Sequence, residues 1–224
     1  MSGALMDCER IVSGFLGQPA NAVSSLAFLV AAVWIVTLAF RGERTTRTAL
    51  LVLAIAVSAN AVGSFARHGP DPSWAQWVHD AAIMSVLLFV AVHALGRIRG
   101  WRPTLEIRAY ALGLVAVGVG LAAVHGASDP IAGALAAGAI VGVVATISGE
   151  RGAPPRGSTL ARWVGLTAIA IGGIAFLLGR TGSPLCRPES LFQWHALWHV
   201  LVAVALVAYA YAISVRVEAV TESA

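Results

Sequence analysis

The sequence predicts an all-α, polytopic membrane protein built as a bundle of seven transmembrane helices. Of its 224 residues, 58% are hydrophobic and only 12% charged, and the mean hydropathy is +0.80, a balance too apolar for a soluble globule. Seven apolar stretches are long enough to cross a bilayer. We expect one domain, with an outer N-terminal segment (1–20), the seven spans (21–214) and a cytoplasmic tail (215–224).

The seven spans are predicted from apolar stretches long enough to cross about 30 Å of hydrocarbon, and their ends are approximate. The fourth, fifth and sixth are rich in Gly and Ala and nearly free of polar side chains, so they can pack closely and are expected to act as scaffold. The predicted spans are 21–40, 48–66, 76–95, 109–125, 129–148, 163–179 and 194–214.

The arginines predict the orientation of the chain. Eleven lie in the loops after the first, third and fifth spans or in the tail, against four on the other side. Because loops rich in positive charge stay in the cytoplasm, we expect the N-terminus outside and the C-terminus in the cytoplasm. The larger group is Arg41, Arg44, Arg47, Arg97, Arg99, Arg102, Arg108, Arg151, Arg156, Arg162 and Arg216, and the smaller is Arg10, Arg67, Arg180 and Arg187.

All fifteen basic residues are arginines, which indicates GC-rich codon usage, and we expect a multi-pass protein of a bacterial plasma membrane. The pI of about 9.8 follows from these arginines, so it needs no nucleic-acid partner to explain it. The expected surroundings are membrane lipids, and no feature of the sequence indicates a protein partner.

Two histidines stand four residues apart where the last span begins. On a helix, His195 and His199 would lie on one face, one turn apart, so that their ring nitrogens can bind one metal ion. Taken alone, the pair is equally well explained as two interfacial histidines beside the belt residues Trp194 and Trp198.

Other polar side chains are predicted at the same level of the membrane and favour the metal site. Helix two ends with Ser64 and His68 at the same spacing, and helix three begins with Asp80. Ionisable groups inside a membrane are costly and by default functional. Three histidines and a water form a catalytic zinc arrangement, whereas structural zinc sites are filled by four protein ligands. His68, His195 and His199 are therefore predicted to bind zinc, with chance clustering of interfacial residues as the alternative.

The order of these residues carries a resemblance to a known family. The matching positions are Cys8-Glu9, Asn21-x2-Ser24, Gly63-Ser64-x3-His68, Asp80, Cys186 and Trp194-His195-x3-His199. This order resembles the alkaline ceramidase family, which belongs to the CREST superfamily of seven-helix membrane hydrolases. The resemblance runs from residue 8 to residue 199, and its sharpest parts are the Ser-x3-His and His-x3-His steps.

The resemblance implies a reaction and a role for each matched residue. The family hydrolyses the amide bond of ceramide to a sphingoid base and a fatty acid, so the expected substrate is a ceramide-like N-acyl lipid. His68, His195 and His199 match the zinc ligands, and Ser64 matches a serine that holds the water or stabilises the oxyanion. Asp80 matches the acid that handles protons. The turn before it is one residue longer than in eukaryotic members, which leaves His79 as an alternative.

The resemblance also implies a disulfide and a second metal. Cys8 and Cys186 match a pair that is bonded on the outer side, where disulfides persist, and two unpaired buried thiols are the alternative. The family binds calcium through the segment before helix one. Here Asp7 and Glu9 could supply two carboxylates, although a calcium site needs six to eight oxygens.

Two other functions remain open at this point. One is a receptor-like or regulatory protein with a structural zinc site, and the other is a metal-free transporter or scaffold whose polar cluster lines a cavity. Asp80 and Ser64 beside the ligands favour hydrolysis, because a structural metal needs neither. His93 lies about 20 Å deeper than Asp80, and His125 has no partner at helical spacing, so both are expected outside the site.

Overall fold

Eight α-helices make up the computed structural model, which describes residues 7–42, 44–124, 128–149 and 156–215. Within these ranges it contains no β-strand, and the only bridge joins Asp7 to Arg180. The helices are α1 (Pro19–Ser24), α2 (Leu26–Arg41), α3 (Arg44–His68), α4 (Ala75–Arg99), α5 (Pro103–Ala123), α6 (Ser128–Ser148), α7 (Arg156–Leu178) and α8 (Trp194–Val215).

The predicted set of seven long apolar helices is confirmed, with α1 and α2 together forming the first. Three helices begin four or more residues earlier than expected, α3 at Arg44 rather than 48, α5 at Pro103 rather than 109 and α7 at Arg156 rather than 163. Proline suits the first turn of a helix, and a helix continues past its apolar stretch into polar surroundings. The fourth span ends at Ala123 rather than 125, and His125 lies outside the described residues.

The first span is broken at Ser25. The Ser24 and Ser25 hydroxyls donate to the Asn21 carbonyl oxygen at 2.9 and 2.8 Å, so side chains compete there with the backbone for one acceptor. Such bonds bend or interrupt helices. The break places both serines at the end of the bundle where α3 ends and α8 begins.

The core of the bundle is formed by α2, α3, α4 and α8, and alanine dominates it. Small side chains allow helix backbones to approach closely, which is how helices associate in membranes. In contrast, α5 and α6 lie at the periphery, where Val117 and Ala139 are their buried residues within the described chain. The core residues include Phe28, Ala31, Ala32, Ile35, Leu50, Leu53, Val57, Phe89, Ala203, Leu206 and Ala210.

The N-terminal segment lies across the end of the bundle that carries the histidines. The Gly17 amide donates to the Gly69 carbonyl at 2.9 Å, and the Gln18 amide donates to the His68 carbonyl at 2.7 Å. These bonds join the segment to the last turn of α3. The segment therefore covers the site and contributes side chains to it.

A disulfide fixes the same segment to the loop before α8. Cys8 and Cys186 are bonded with an S–S distance of 2.10 Å, so the predicted disulfide is confirmed. The Cys8 amide also donates to the Gly179 carbonyl at 2.7 Å. The link joins parts of the chain that are 178 residues apart.

Removal of the disulfide in a Cys8→Ser, Cys186→Ser double variant is expected to destabilise the protein by about 2–5 kcal/mol. The bond holds the N-terminal segment over the histidines and closes nearly the whole chain into one loop. Thermal unfolding in detergent, with and without a thiol reductant, measures the effect. Reductant should lower the melting temperature of the wild type and leave the double variant unchanged. Equal melting of both proteins in both buffers would contradict a stabilising role.

Candidate metal centre

The three predicted histidine ligands meet where α3 ends and α8 begins. One ring nitrogen of each lies within 4.8 Å of the others, and the ring centroids are 4.6 to 5.2 Å apart. His68, His195 and His199 are each 5% exposed or less. The structure thus brings together side chains that are more than 120 residues apart in sequence, since His68 and His195 are 127 positions apart (195 − 68).

Each histidine has its Nδ1 atom near a side-chain oxygen, in a hydrogen bond for His68 and His199 and at ion-pair distance without hydrogen-bond geometry for His195. His68 Nδ1 lies 2.7 Å from Gln18 Oε1, His195 Nδ1 lies 3.1 Å from Asp7 Oδ1, and His199 Nδ1 lies 2.9 Å from Ser24 Oγ. The Ser24 hydroxyl gives its proton to the Asn21 carbonyl, so it accepts from His199. Contacts of this kind fix the tautomer and the orientation of metal-binding imidazoles.

The Nε2 atoms are the ring nitrogens that these Nδ1 contacts leave over. His68 Nε2 and His195 Nε2 are buried and have no hydrogen-bond partner within the described residues, and His199 Nε2 lies 3.4 Å from Ser64 Oγ. Buried polar atoms without a partner are rare in proteins, and a bound ion is one explanation. Three clustered imidazoles, two of them with an unpartnered Nε2 and the third with only a long contact to Ser64, are a donor set that fits zinc. The site residues therefore fit the predicted metal.

The Ser64 hydroxyl lies beside this donor set. Its Oγ is 2.8 Å from Ser25 Oγ, which in turn lies 2.8 Å from the Asn21 carbonyl. When Ser25 donates to Asn21, Ser64 donates to Ser25 and offers its lone pairs to a water. When the Ser25 hydroxyl turns to Ser64, the Ser64 proton is free to bind negative charge. Ser64 can thus act as acceptor or donor without moving its oxygen.

His79, rather than Asp80, faces the histidine cluster. The His79 ring packs edge-on against the His68 ring, with centroids 5.8 Å apart. Asp80 Oδ1 accepts from His79 Nδ1 at 3.1 Å and from Gln76 Nε2 at 2.8 Å. Asp80 therefore lies behind His79, and the acid expected from the sequence forms a pair with its alternative.

Two glycines permit the close approach of the segments that carry these groups. A Cβ atom at Gly63 would lie 3.0 Å from the His79 Cα, and one at Gly179 would lie 2.7 Å from the His195 backbone nitrogen. Both obstacles are backbone atoms, which cannot swing aside as a flexible side chain can. Glycine at these positions sets how near α4 and α8 come to the site.

Asp7 and Glu9, the expected calcium ligands, have separate protein partners. Both Glu9 carboxylate oxygens accept backbone amides at the start of α1, from Ala20 at 2.7 Å and Asn21 at 2.9 Å. Glu9 thus satisfies free amides at a helix N-terminus, where negative charge is favourable. Asp7 lies instead beside His195 and 3.7 Å from Arg180. Calcium binding by this pair stays a prediction.

Burial raises the pKa of the Asp7 carboxyl, while the nearby Arg180 guanidinium opposes the rise. The folded protein therefore holds the Asp7 proton more readily than the unfolded chain does. It follows that this carboxylate lowers the stability of the metal-free protein as the pH rises through the raised pKa. The negative charge of Asp7 beside His195 therefore lowers the stability of the metal-free protein at neutral pH. A bound cation would offset this loss.

An Asp7→Asn variant is expected to bind the metal about 10- to 100-fold more weakly, because the carboxylate that orients His195 is lost. Without metal, the same variant should be no less stable than the wild type at neutral pH, because the cost of the buried charge is removed. Zinc titration and thermal unfolding in the presence of a chelator measure the two effects. Unchanged zinc affinity would exclude Asp7 from the site.

Sequence reasoning missed Gln18, Ser24 and His79 as contacts of the histidine rings. The sequence pattern could have indicated two of them. Ser24 lies on the same helical face as Asn21, and His79 was the alternative to Asp80 for the acid position. Gln18 directly precedes Pro19, the first residue of α1, and its pattern indicates only a helix start. Its contact with His68 depends on the path of the N-terminal segment, which no local pattern encodes.

Comparison of the chain with protein-family profiles gives no match, and comparison with curated proteins gives no significant match.

Proposed function

We propose that this protein is a zinc-dependent hydrolase that cleaves the amide bond of a ceramide-like N-acyl lipid, releasing a fatty acid and a free amine. The observation that carries the proposal is the pair of buried Nε2 atoms of His68 and His195. They have no hydrogen-bond partner among the described residues and lie in one cluster with His199 and Ser64. The resemblance of these residues to the alkaline ceramidase family supports the same reaction.

The site residues favour a catalytic over a structural metal. Structural zinc sites are closed by four protein ligands, and catalytic sites keep one position open. Among the described residues, the group that could hold an ion consists of His68, His195 and His199 alone. When bound, zinc supplies a Lewis acid that lowers the pKa of a coordinated water from about 15.7 to about 7 and polarises a carbonyl oxygen.

The chain's own groups would then move the protons of the reaction. With its Nδ1 proton held by Asp80, His79 keeps Nε2 free to take a proton from water and return it to the leaving amine. The Ser64 hydroxyl donates a hydrogen bond where negative charge develops on the former carbonyl oxygen. Overall, the amide C–N bond breaks, the hydroxyl of water joins the acyl carbon and its proton joins the amine.

The proposal includes a membrane orientation with the site towards the outside of a bacterial plasma membrane. The arginine bias supports an outer N-terminus, and a disulfide next to the site supports an oxidising compartment. The apolar bundle supports a lipid as the source of the amide, because such a substrate can reach the site from the bilayer.

The test is fatty-acid release by the purified protein in lipid nanodiscs, measured with a ceramide, a second N-acyl lipid and a small water-soluble amide. We expect release from at least one lipid amide, its loss after treatment with a zinc chelator and its return when zinc is added. A receptor-like protein would hold zinc without release, and a transporter would show neither zinc nor release. Release that persists under chelation would contradict metal-dependent hydrolysis.

A further inference from the structure

Asn60 places a polar side chain in the interior of α3. The residue is 5% exposed, and its Oδ1 atom is buried without a hydrogen-bond partner among the described residues. Ser58, two positions earlier on the same helix, differs in this respect, because its hydroxyl donates to the Ala54 carbonyl oxygen of its own turn. Asn60 therefore keeps a buried acceptor that the described chain does not use.

The surroundings of Asn60 make this unused acceptor costly. Val57 and Ala61, its neighbours on α3, belong to the hydrophobic core of the bundle. A buried amide without a partner is unfavourable in such a core, and the hydrocarbon of a bilayer holds no water to pair with it. Leucine has nearly the same size and would avoid this cost. Polar residues inside a membrane bundle are by default functional, so Asn60 is a candidate for a ligand contact.

Asn60 lies one helical turn deeper in the bundle than Ser64, on the same face of α3. Side chains four positions apart on a helix are neighbours, with Cβ atoms about 5–6 Å apart, and Ser64 Oγ lies 3.4 Å from His199 Nε2. Asn60, Ser64 and His68 thus follow one face of α3 from the metal centre towards the middle of the bundle. A lipid whose amide lies beside Ser64 brings the next atoms of its chain to Asn60.

We propose that Asn60 accepts a hydrogen bond from a hydroxyl group of the substrate, carried on the second carbon from the amide nitrogen. The inference rests on the hydrolysis proposed above, and it narrows the substrate to lipid amides with this hydroxyl. A hydroxyl is a neutral donor, whereas a charged donor would be costly among the apolar residues around Asn60. The hydroxyl lies about 5 Å from the amide carbonyl oxygen, close to the spacing between Asn60 and Ser64.

An Asn60→Leu variant separates a binding role from a structural one without any substrate. Leucine carries no polar atom, so it removes the cost of the unpaired amide from the folded protein. We expect the variant to melt in detergent at a temperature no lower than that of the wild type and to keep the wild-type zinc content. A lower melting temperature would show that Asn60 stabilises the fold, and it would overturn the proposal.

The second test compares two lipids that differ only in this hydroxyl, N-palmitoylsphinganine and N-palmitoyl-3-deoxysphinganine. Fatty-acid release in nanodiscs gives kcat/KM for each. In the wild type we expect kcat/KM to be about 10- to 100-fold higher for the hydroxylated lipid, because the 3-deoxy lipid leaves the buried amide unpaired. Asn60→Leu should lose this preference and still hydrolyse the 3-deoxy lipid, while the matched control Ser58→Ala should keep the preference.

The outcomes distinguish this inference from the proposed function. Equal kcat/KM for the two lipids in the wild type would overturn the role of Asn60 and leave the hydrolysis intact. The same preference in Asn60→Leu as in the wild type would assign recognition of the hydroxyl to another residue, which also overturns the proposal. Hydrolysis of neither lipid would overturn the inference, and the proposed function would fail with it if no other lipid amide were cleaved.

Discussion

Replacement of His68 by alanine is expected to abolish hydrolysis of the lipid amide, with a loss of at least about 1,000-fold. A metal that supplies several kcal/mol of transition-state stabilisation accounts for a loss of this size. The structure predicts the same loss for His195→Ala and His199→Ala, because the three rings share one centre. Fatty-acid release in nanodiscs, with zinc in excess, measures the effect.

Ser58→Ala is the matched control for the His68 variant. Ser58 lies on the same helix, and its hydroxyl donates only to the Ala54 carbonyl of its own turn, so its loss should leave hydrolysis unchanged. If His68→Ala kept activity close to that of Ser58→Ala, the cluster would not be the catalytic centre. A merely shifted affinity for a transported molecule would instead indicate the transporter.

The second large effect is expected at the pair formed by His79 and Asp80. His79→Ala should lower kcat by about 100- to 10,000-fold, as expected for the loss of a general base, while the protein keeps its zinc. Asp80→Asn should lower kcat by a smaller factor, because Asp80 acts through His79 by holding its Nδ1 proton. Asp71→Asn is the matched control, since Asp71 pairs with Arg67 at the surface.

Two outcomes would change the roles within this pair. If Asp80→Asn lowered kcat as much as His79→Ala or more, Asp80 would be the group that transfers the proton. If His79→Ala removed the zinc as well, His79 would be part of the metal centre rather than a base beside it.

The sequence was sufficient for the helices and for the clustering of the three histidines, because both are encoded by regular spacing. Apolar stretches of spanning length predict a helix wherever they occur, and the steps from Ser64 to His68 and from His195 to His199 repeat the helical turn. Alternating loop charge then placed the ends of α3 and α8 at one level. The disulfide between Cys8 and Cys186 was implied by the family resemblance and joins this same end.

The remaining contacts of the site could not be predicted from the sequence, because they depend on segments without a periodic pattern. Gln18 reaches His68 because the N-terminal segment folds back over the bundle, and Asp7 turns to His195 instead of joining Glu9. The break at Ser25 depends on the hydrogen bonds that the Ser24 and Ser25 hydroxyls donate to the Asn21 carbonyl oxygen. The choice between His79 and Asp80 depends on the rotation of α4, which the length of the preceding turn alone does not determine.

Metal analysis of the purified protein tests the central claim, that the three histidines hold zinc. Inductively coupled plasma mass spectrometry should find about one zinc per chain in the wild type and in Ser58→Ala, the stoichiometry of a single site with three histidine ligands. His195→Ala and His199→Ala should retain almost none. No zinc in the wild type, even after zinc has been supplied, would contradict the metal centre and the hydrolase that depends on it.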